Sequence, residues 1–181
     1  MQKARIRISS YNTLFKENNC FFQTCKRFKT LRHKERKLVH VPPTIIYNTV
    51  KNVGNYKNFV PYCFKSIVTS EKEFSSTAQL GVGFGPVKEH YTSLLKFNDT
   101  KFVEAHCMDG KLFNSLICLW KFNPVSSKPD ITIIDFQIEF EFKSRLHSKL
   151  ATLFFNEIVR TMVKAFEKEA KNQFEVEKLN K

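Results

Sequence analysis

Residues 131–170 read ITIIDFQIEFEFKSRLHSKLATLFFNEIVRTMVKAFEKEA, and a change of period inside them decides the fold. Ile134, Phe136, Ile138, Phe140 and Phe142 alternate with Asp135, Gln137, Glu139 and Glu141. A period of two with one apolar face predicts a half-buried antiparallel strand. After Lys143-Ser144 the apolar residues Leu146, Leu150, Leu153, Phe154, Ile158, Met162, Ala165, Phe166 and Ala170 recur at three- and four-residue steps. That spacing predicts one face of a long helix, with Ser144 as its N-cap. A helix over 144–172 is about 44 Å long, whereas a body of this size is only about 40 Å across. The helix must therefore cross the whole domain and lie against a sheet of similar span.

The preceding sequence supplies that sheet. Arg36–Val41 predicts a short first strand closed by Pro42-Pro43, and residues 44–53 a helix opened by Pro43. Gly54-Asn55 breaks it, and residues 56–60 form a helical turn that stops before Pro61. Strand patterns then fill residues 64–70, 76–84, 87–97, 102–108, 112–122 and 131–142, divided by turn-like residues. Asp109-Gly110 is the strongest hairpin signal, and residues 123–130 read as the last turn. Consecutive strands with segregated helices make the class α+β. The expected architecture is a curved seven-stranded antiparallel sheet gripping one long C-terminal helix, with a space between them for side chains or a ligand.

Charge divides the chain. Residues 1–40 hold eleven Lys/Arg against Glu17 and Glu35, so +9 of the net +13 lies there and +4 in the other 141 residues. The folded body is thus only mildly basic, which argues against nucleic acid as a partner. A basic, acid-poor leader with Ala4, Ile8, Tyr11 and Phe15 on one helical stripe has the character of a mitochondrial transit peptide. A basic arm that binds RNA or an anionic membrane predicts a similar composition. The division expected is a leader over 1–33, a domain over 34–172 and a tail over 173–181. No secretory core or run of 18 apolar residues is present.

Enzyme signatures are weak. Gly81-x-Gly83-x-Gly85 is followed by Pro86 and another strand rather than a helix N-terminus, so a phosphate loop is excluded. These glycines fit strand curvature or close backbone approach. The five cysteines contain no Cys-x-x-Cys pair, and His90, His106 and His147 lack metal-ligand spacing. Asp135, Glu139 and Glu141 fit a solvated outer sheet face better than an acid/base set. The positive signal is nineteen Phe and five Tyr, mostly in strands and the long helix.

At these strands a family resemblance emerges. Tyr56-Lys57-Asn58-Phe59-Val60-Pro61-Tyr62-Cys63 resembles the Tyr-x-x-Phe-Val-Pro-x-Cys segment of the mitochondrial coenzyme Q-binding family, within the START and polyketide-cyclase-like superfamily of helix-grip folds. Further matches are Leu80–Phe84, Tyr91-Thr92-Ser93, Asp109–Asn114, Trp120-Lys121-Phe122 and Phe140–Ser148, continuing through Leu150–Phe155. Together they cover residues 36–170. Residues 1–35 and the segment after Ala170 show no match, and Gly54 replaces a frequently acidic residue, which predicts a looser turn before Tyr56.

The resemblance implies a non-catalytic protein on the matrix side of the mitochondrial inner membrane, in peripheral contact with it. It would bind ubiquinone, with no catalytic cofactor, support ubiquinone biosynthesis and respiratory electron transport, and possess partners among those complexes. A quinone needs an apolar slot and few polar contacts. Alternation places the expected lining at Phe59 and Val60, at Leu80, Val82 and Phe84, at Leu116 and Trp120, and at Phe136, Ile138 and Phe140. The helix adds Leu150, Leu153, Phe154 and Met162, and Tyr91 and Trp120 are the expected polar handles. Two other readings stand beside this one. One is an enzyme of the cyclase/aromatase kind, which needs an acid/base pair that the inferred inward faces lack. The other is a basic RNA- or membrane-binding protein that keeps its leader.

Overall fold

The strand over 131–142 carries the alternation into three dimensions: Ile134, Phe136, Phe140 and Phe142 are buried, while Asp135 and Glu139 point outward to salt bridges. The computed structural model describes residues 30–84, 87–111, 113–143 and 145–180, with backbone alone for Phe84, Val87 and residues 145–154. Its elements are β1 (Thr30–Val39), α1 (Pro43–Lys51), a 3-10 turn (Val53–Asn55), α2 (Tyr56–Phe59), β2 (Cys63–Lys72), β3 (Ser75–Phe84), β4 (Val87–Asn98), β5 (Phe102–Cys107), β6 (Phe113–Val125), β7 (Lys128–Phe142) and α3 (Arg145–Leu179). The seven strands form one sheet in the order β1-β7-β6-β5-β4-β3-β2, antiparallel throughout. Both α1 and α3 pack on its concave side. This is the helix-grip arrangement that the period change predicts.

Several boundaries differ from expectation. The first strand begins at Thr30, not Arg36, so residues 30–33 of the expected leader belong to the sheet. The charge that disguised it is the outer face of an edge strand. Arg36 grips Asp135 at 2.6 and 2.9 Å, and Arg32 grips Glu139 at 2.8 and 3.1 Å, both bidentate. Leu31 and Val39 anchor the inner face.

The last helix continues to Leu179, so most of the expected tail is helical; its 35 residues span about 52 Å. Phe174 packs against the core. Gln173 Oε1 accepts a 2.9 Å bond from the Thr49 hydroxyl, tying the helix to α1. Ser144, the expected N-cap, lies outside the described residues.

The turn expected over 123–130 shrinks to Ser126-Ser127, because β6 runs through Pro124 to Val125. The ladder shifts register between Pro124 and Val125, which accommodates a residue without a donor. Asp109-Gly110 does mark a turn, but inside a longer connection. The Asp109 carboxylate accepts bonds from the Thr92 N–H and hydroxyl, and Gly110 adopts φ +117°. Gly54 does not loosen its turn. The Ser66 hydroxyl donates to Gly54 O at 2.8 Å and accepts from the Lys57 N–H at 3.1 Å, stitching the turn to β2.

The glycines of β3 have a specific cause. The Phe64 ring lies across their outer side, and a Cβ on Gly81 would sit 2.7 Å from it. Leu80 and Val82 therefore face the concave side, while the other side is crowded by a ring.

Candidate ligand cavity

The concave face can be followed along rows of directly paired residues. Towards α1 the rows close. Phe136, Trp120, Val103 and Phe97 are paired in succession across β7, β6, β5 and β4, and all are buried. Phe166 of α3 meets Trp120 at 5.0 Å between ring centroids and Tyr56 at 5.0 Å, while Phe136 meets Trp120 at 4.5 Å. The Tyr56 hydroxyl is spent on Val50 O.

Beyond Leu95 of β4, which is buried, the neighbouring row runs Ala105, Cys118 and Ile138 in β5, β6 and β7. Each points inward, yet each remains only partly buried. Leu116, Cys107, Tyr91, Val82 and Cys63 behave the same way nearer the β3–β4 and β5–β6 connections. The physical reason is side-chain volume. Where the sealed rows carry Phe, Trp and Val, this half carries Cys63, Ala105, Cys107 and Cys118. Small side chains at inward positions go with the accessible surface that remains on this half of the sheet.

The polar atoms of this half are weak acids held neutral. Burial pushes the Cys118 thiol up to about 12, against a smaller opposing bond from Trp120. Burial likewise raises the Tyr91 phenol well above its ordinary value. Both stay protonated at neutral pH and can donate a hydrogen bond. The thiols of Cys63 and Cys107 already donate to Lys65 O at 3.3 Å and Asp109 O at 2.7 Å.

The expected lining separates into three groups. Phe59, Val60, Val82, Tyr91, Leu116, Ile138 and Met162 face the interior with accessible surface. Leu80, Trp120, Phe136 and Phe140 are buried, and Trp120 is wedged between Phe136 and Phe166 as part of the floor. The side chains of Phe84, Leu150, Leu153 and Phe154 lie outside the described residues. Sequence reading passed over Cys63, Ala105, Phe113 and Cys118. Cys118 was findable, since it shares the parity of Leu116 and Trp120.

The inward faces are also less apolar than expected. His33, Glu35 and Lys37 alternate inward on β1. His33 Nε2 lies 3.3 Å from Glu35 Oε2, and its ring packs 6.3 Å from both Phe136 and Phe155. Lys37 pairs with Glu167 of α3 at 2.5 Å. His33 and Glu35 were hidden because the strand start had been placed after them. Among the described residues, no cluster of three or more His, Cys, Asp or Glu could hold a metal, and no helix is long and apolar enough to cross a membrane.

Comparison with known proteins joins this geometry to a family. The family described as polyketide cyclase / dehydrase and lipid transport matches residues 39–167. A mitochondrial coenzyme Q-binding protein COQ10 of Saccharomyces cerevisiae is 30% identical over 145 residues, covering 77% of this chain and 70% of that protein. The chain belongs to the coenzyme Q-binding branch of this family. The mitochondrial coenzyme Q-binding protein COQ10 homolog B of Xenopus laevis is 46% identical over 143 residues, covering 78% of this chain. The chain matches only 59% of that relative's length. Among solved structures, the Zhui aromatase/cyclase of Streptomyces sp. R1128 superposes with a TM-score of 0.70 at 11% identity, covering 80% of this chain and 96% of that one. At that identity the likeness carries the fold and not the chemistry. This chain thus shares its sheet and long helix with a cyclase.

Proposed function

We propose that the protein binds ubiquinone in the open half of its interior and carries or positions it without transforming it. One observation carries the reading: a set of inward-facing sheet residues, small or apolar, that remain only partly buried. Such a slot suits a quinone ring and the first units of its tail, each buried methylene contributing about 0.8 kcal/mol. The Tyr91 hydroxyl and Cys118 thiol are hydrogen-bond donors, not bases, which favours holding a ring over enolising a polyketide. Among the described residues, His33–Glu35 and Lys37–Glu167 are acid/base couples on this face, which is why turnover must be tested directly.

The work site in this reading is the matrix side of the mitochondrial inner membrane, where the protein supports respiration and ubiquinone synthesis. Peripheral contact is supported by the end bearing the β3–β4 and β5–β6 connections. Tyr62, Phe64 and Met108 are exposed there beside the exposed Lys88 and Lys111, a combination suited to an anionic bilayer surface. Residues 1–29 act as the targeting leader, and cleavage before Thr30 leaves β1 whole.

The test is lipid extraction and mass analysis of protein purified from mitochondria, with N-terminal sequencing of the same sample. Ubiquinone near one per chain and an N-terminus at or before Thr30 are expected. Quinone-free protein, or steady conversion of ubiquinone or a polyketide by the pure protein, would overturn the reading.

A further inference from the structure

His33 occupies a position that the quinone reading leaves unused. It is paired with Ile138, so it extends the accessible row of Ile138, Cys118 and Ala105 to the sheet edge. Its side chain is 19% exposed and packs beside Phe136 and Phe155. Glu35, two residues along the same inner face, meets Nε2 at 3.3 Å. An ionised carboxylate only accepts hydrogen bonds, so it places the proton of a neutral imidazole on Nε2. Nδ1 is then a bare lone pair, and among the described residues it has no hydrogen-bond partner.

A bare nitrogen on an otherwise apolar row recognises a donor. The two redox forms of a benzoquinone differ in this respect. The oxidised ring offers carbonyl oxygens, which only accept, and the reduced ring offers hydroxyl groups, which donate. Against a carbonyl, the Nδ1 lone pair is repulsive; against a hydroxyl, it completes a bond. The Tyr91 hydroxyl does not discriminate, since it can donate to a carbonyl or accept from a hydroxyl.

We infer that His33, held in one tautomer by Glu35, makes this cavity select the reduced hydroquinone form of its ligand over the oxidised quinone. The inference rests on the proposed quinone site and adds to it a preference between redox states. One neutral hydrogen bond gained in place of a repulsive contact is worth about a five- to tenfold difference in affinity.

The experiment measures binding of a two-isoprene ubiquinone and of its chemically reduced quinol to the delipidated full chain, under anaerobic conditions at neutral pH. The wild type is expected to bind the quinol about five- to tenfold more tightly. His33→Phe keeps the aromatic packing and should bring the two affinities together. Glu35→Gln presents an amide that can donate to Nε2, so it frees the ring to carry its proton on Nδ1. That variant should lose or reverse the preference while still binding the quinone, which a merely structural role for Glu35 would not produce. Equal wild-type affinities, or a preference that survives both substitutions, would remove His33 from ligand recognition and leave the cavity reading intact. Binding of neither form by the wild type would overturn the cavity reading and this inference together.

Discussion

The two halves of the concave face share one sheet and one alternation, yet the inward residues of one are buried and those of the other only partly so. The difference is written in residue volume. Along β5 the inward sequence is Val103, Ala105, Cys107, and along β6 from the same end it is Phe122, Trp120, Cys118, Leu116. Bulk falls away just where accessibility appears. A hydrophobic pattern therefore tells which face is inside, while the sizes within the pattern tell whether that inside is full. In the sealed half the same chemistry maintains the fold, and in the open half it is, on the proposed reading, available to a ligand.

The sharpest test is to truncate one inward side chain to alanine in each half. Phe136→Ala, at the floor between His33 and Trp120, should cost about 3–5 kcal/mol and remove much of the protein's stability. Ile138→Ala, two residues away on the same face, should fall below the usual range of about 2–5 kcal/mol for a core aliphatic, yet lower copurifying quinone. Chemical denaturation and lipid analysis of both variants read the contrast. Equal stability losses would mean that the two halves are packed alike.

Leu80→Asp probes the border between them. Leu80 is paired with Tyr91 on one side and Ser66 on the other, and it is nearly buried. Beside accessible space, water can hydrate the new carboxylate, so the domain should remain folded without quinone. Were the site ordinary core, the unpaired charge would cost several kcal/mol and unfold a large fraction of the protein. A folded variant with normal quinone content would take β3 out of the site.

Smaller effects belong to the polar fastenings. Burial alone would raise the Glu167 carboxyl, but Lys37 and Lys171 outweigh it and hold it below the ordinary range. Its contribution is thus complete above the unfolded value of about 4.3 and is lost as pH falls through the lower folded value. Glu167→Gln should lower stability at neutral pH by about 1 kcal/mol and make the acid limb of the stability profile shallower. An unchanged acid limb would mean that this clamp between β1 and α3 does not act on stability. Arg36→Ala, on the exposed outer face, should leave the melting temperature where it is.

How legible was this in the sequence? The period change at residue 143 gave the sheet, the helix and the packing between them, because burial of one face admits few alternatives. The glycines of β3 were legible as crowded, although the Phe64 ring that crowds them was not. The first half of β1 escaped because its outward Arg32 and Lys34 and inward His33 and Glu35 leave no apolar alternation; only pairing with β7 makes it a strand. The helix end escaped because past Ala170 the apolar stripe thins to Phe174 and Val176, and i,i+4 pairs carry it onward. The lining was half legible. Parity located Leu116, Ile138 and Val82, but volume, not hydrophobicity, marks the space, so Cys118 and Ala105 were passed over as ordinary small residues.

The pairing of β1 with β7 also fixes an order of events. Arg32 is separated from its partner Glu139 by 107 residues, whereas β2 through β7 meet their neighbours across short connections. Local hairpins close early and distant pairings late, since loop entropy must be overcome first. In a chain delivered amino end first, the strand that emerges earliest is thus among the last to find its place. During that wait its row of Arg and Lys does a second service, discouraging the exposed edge from joining another chain.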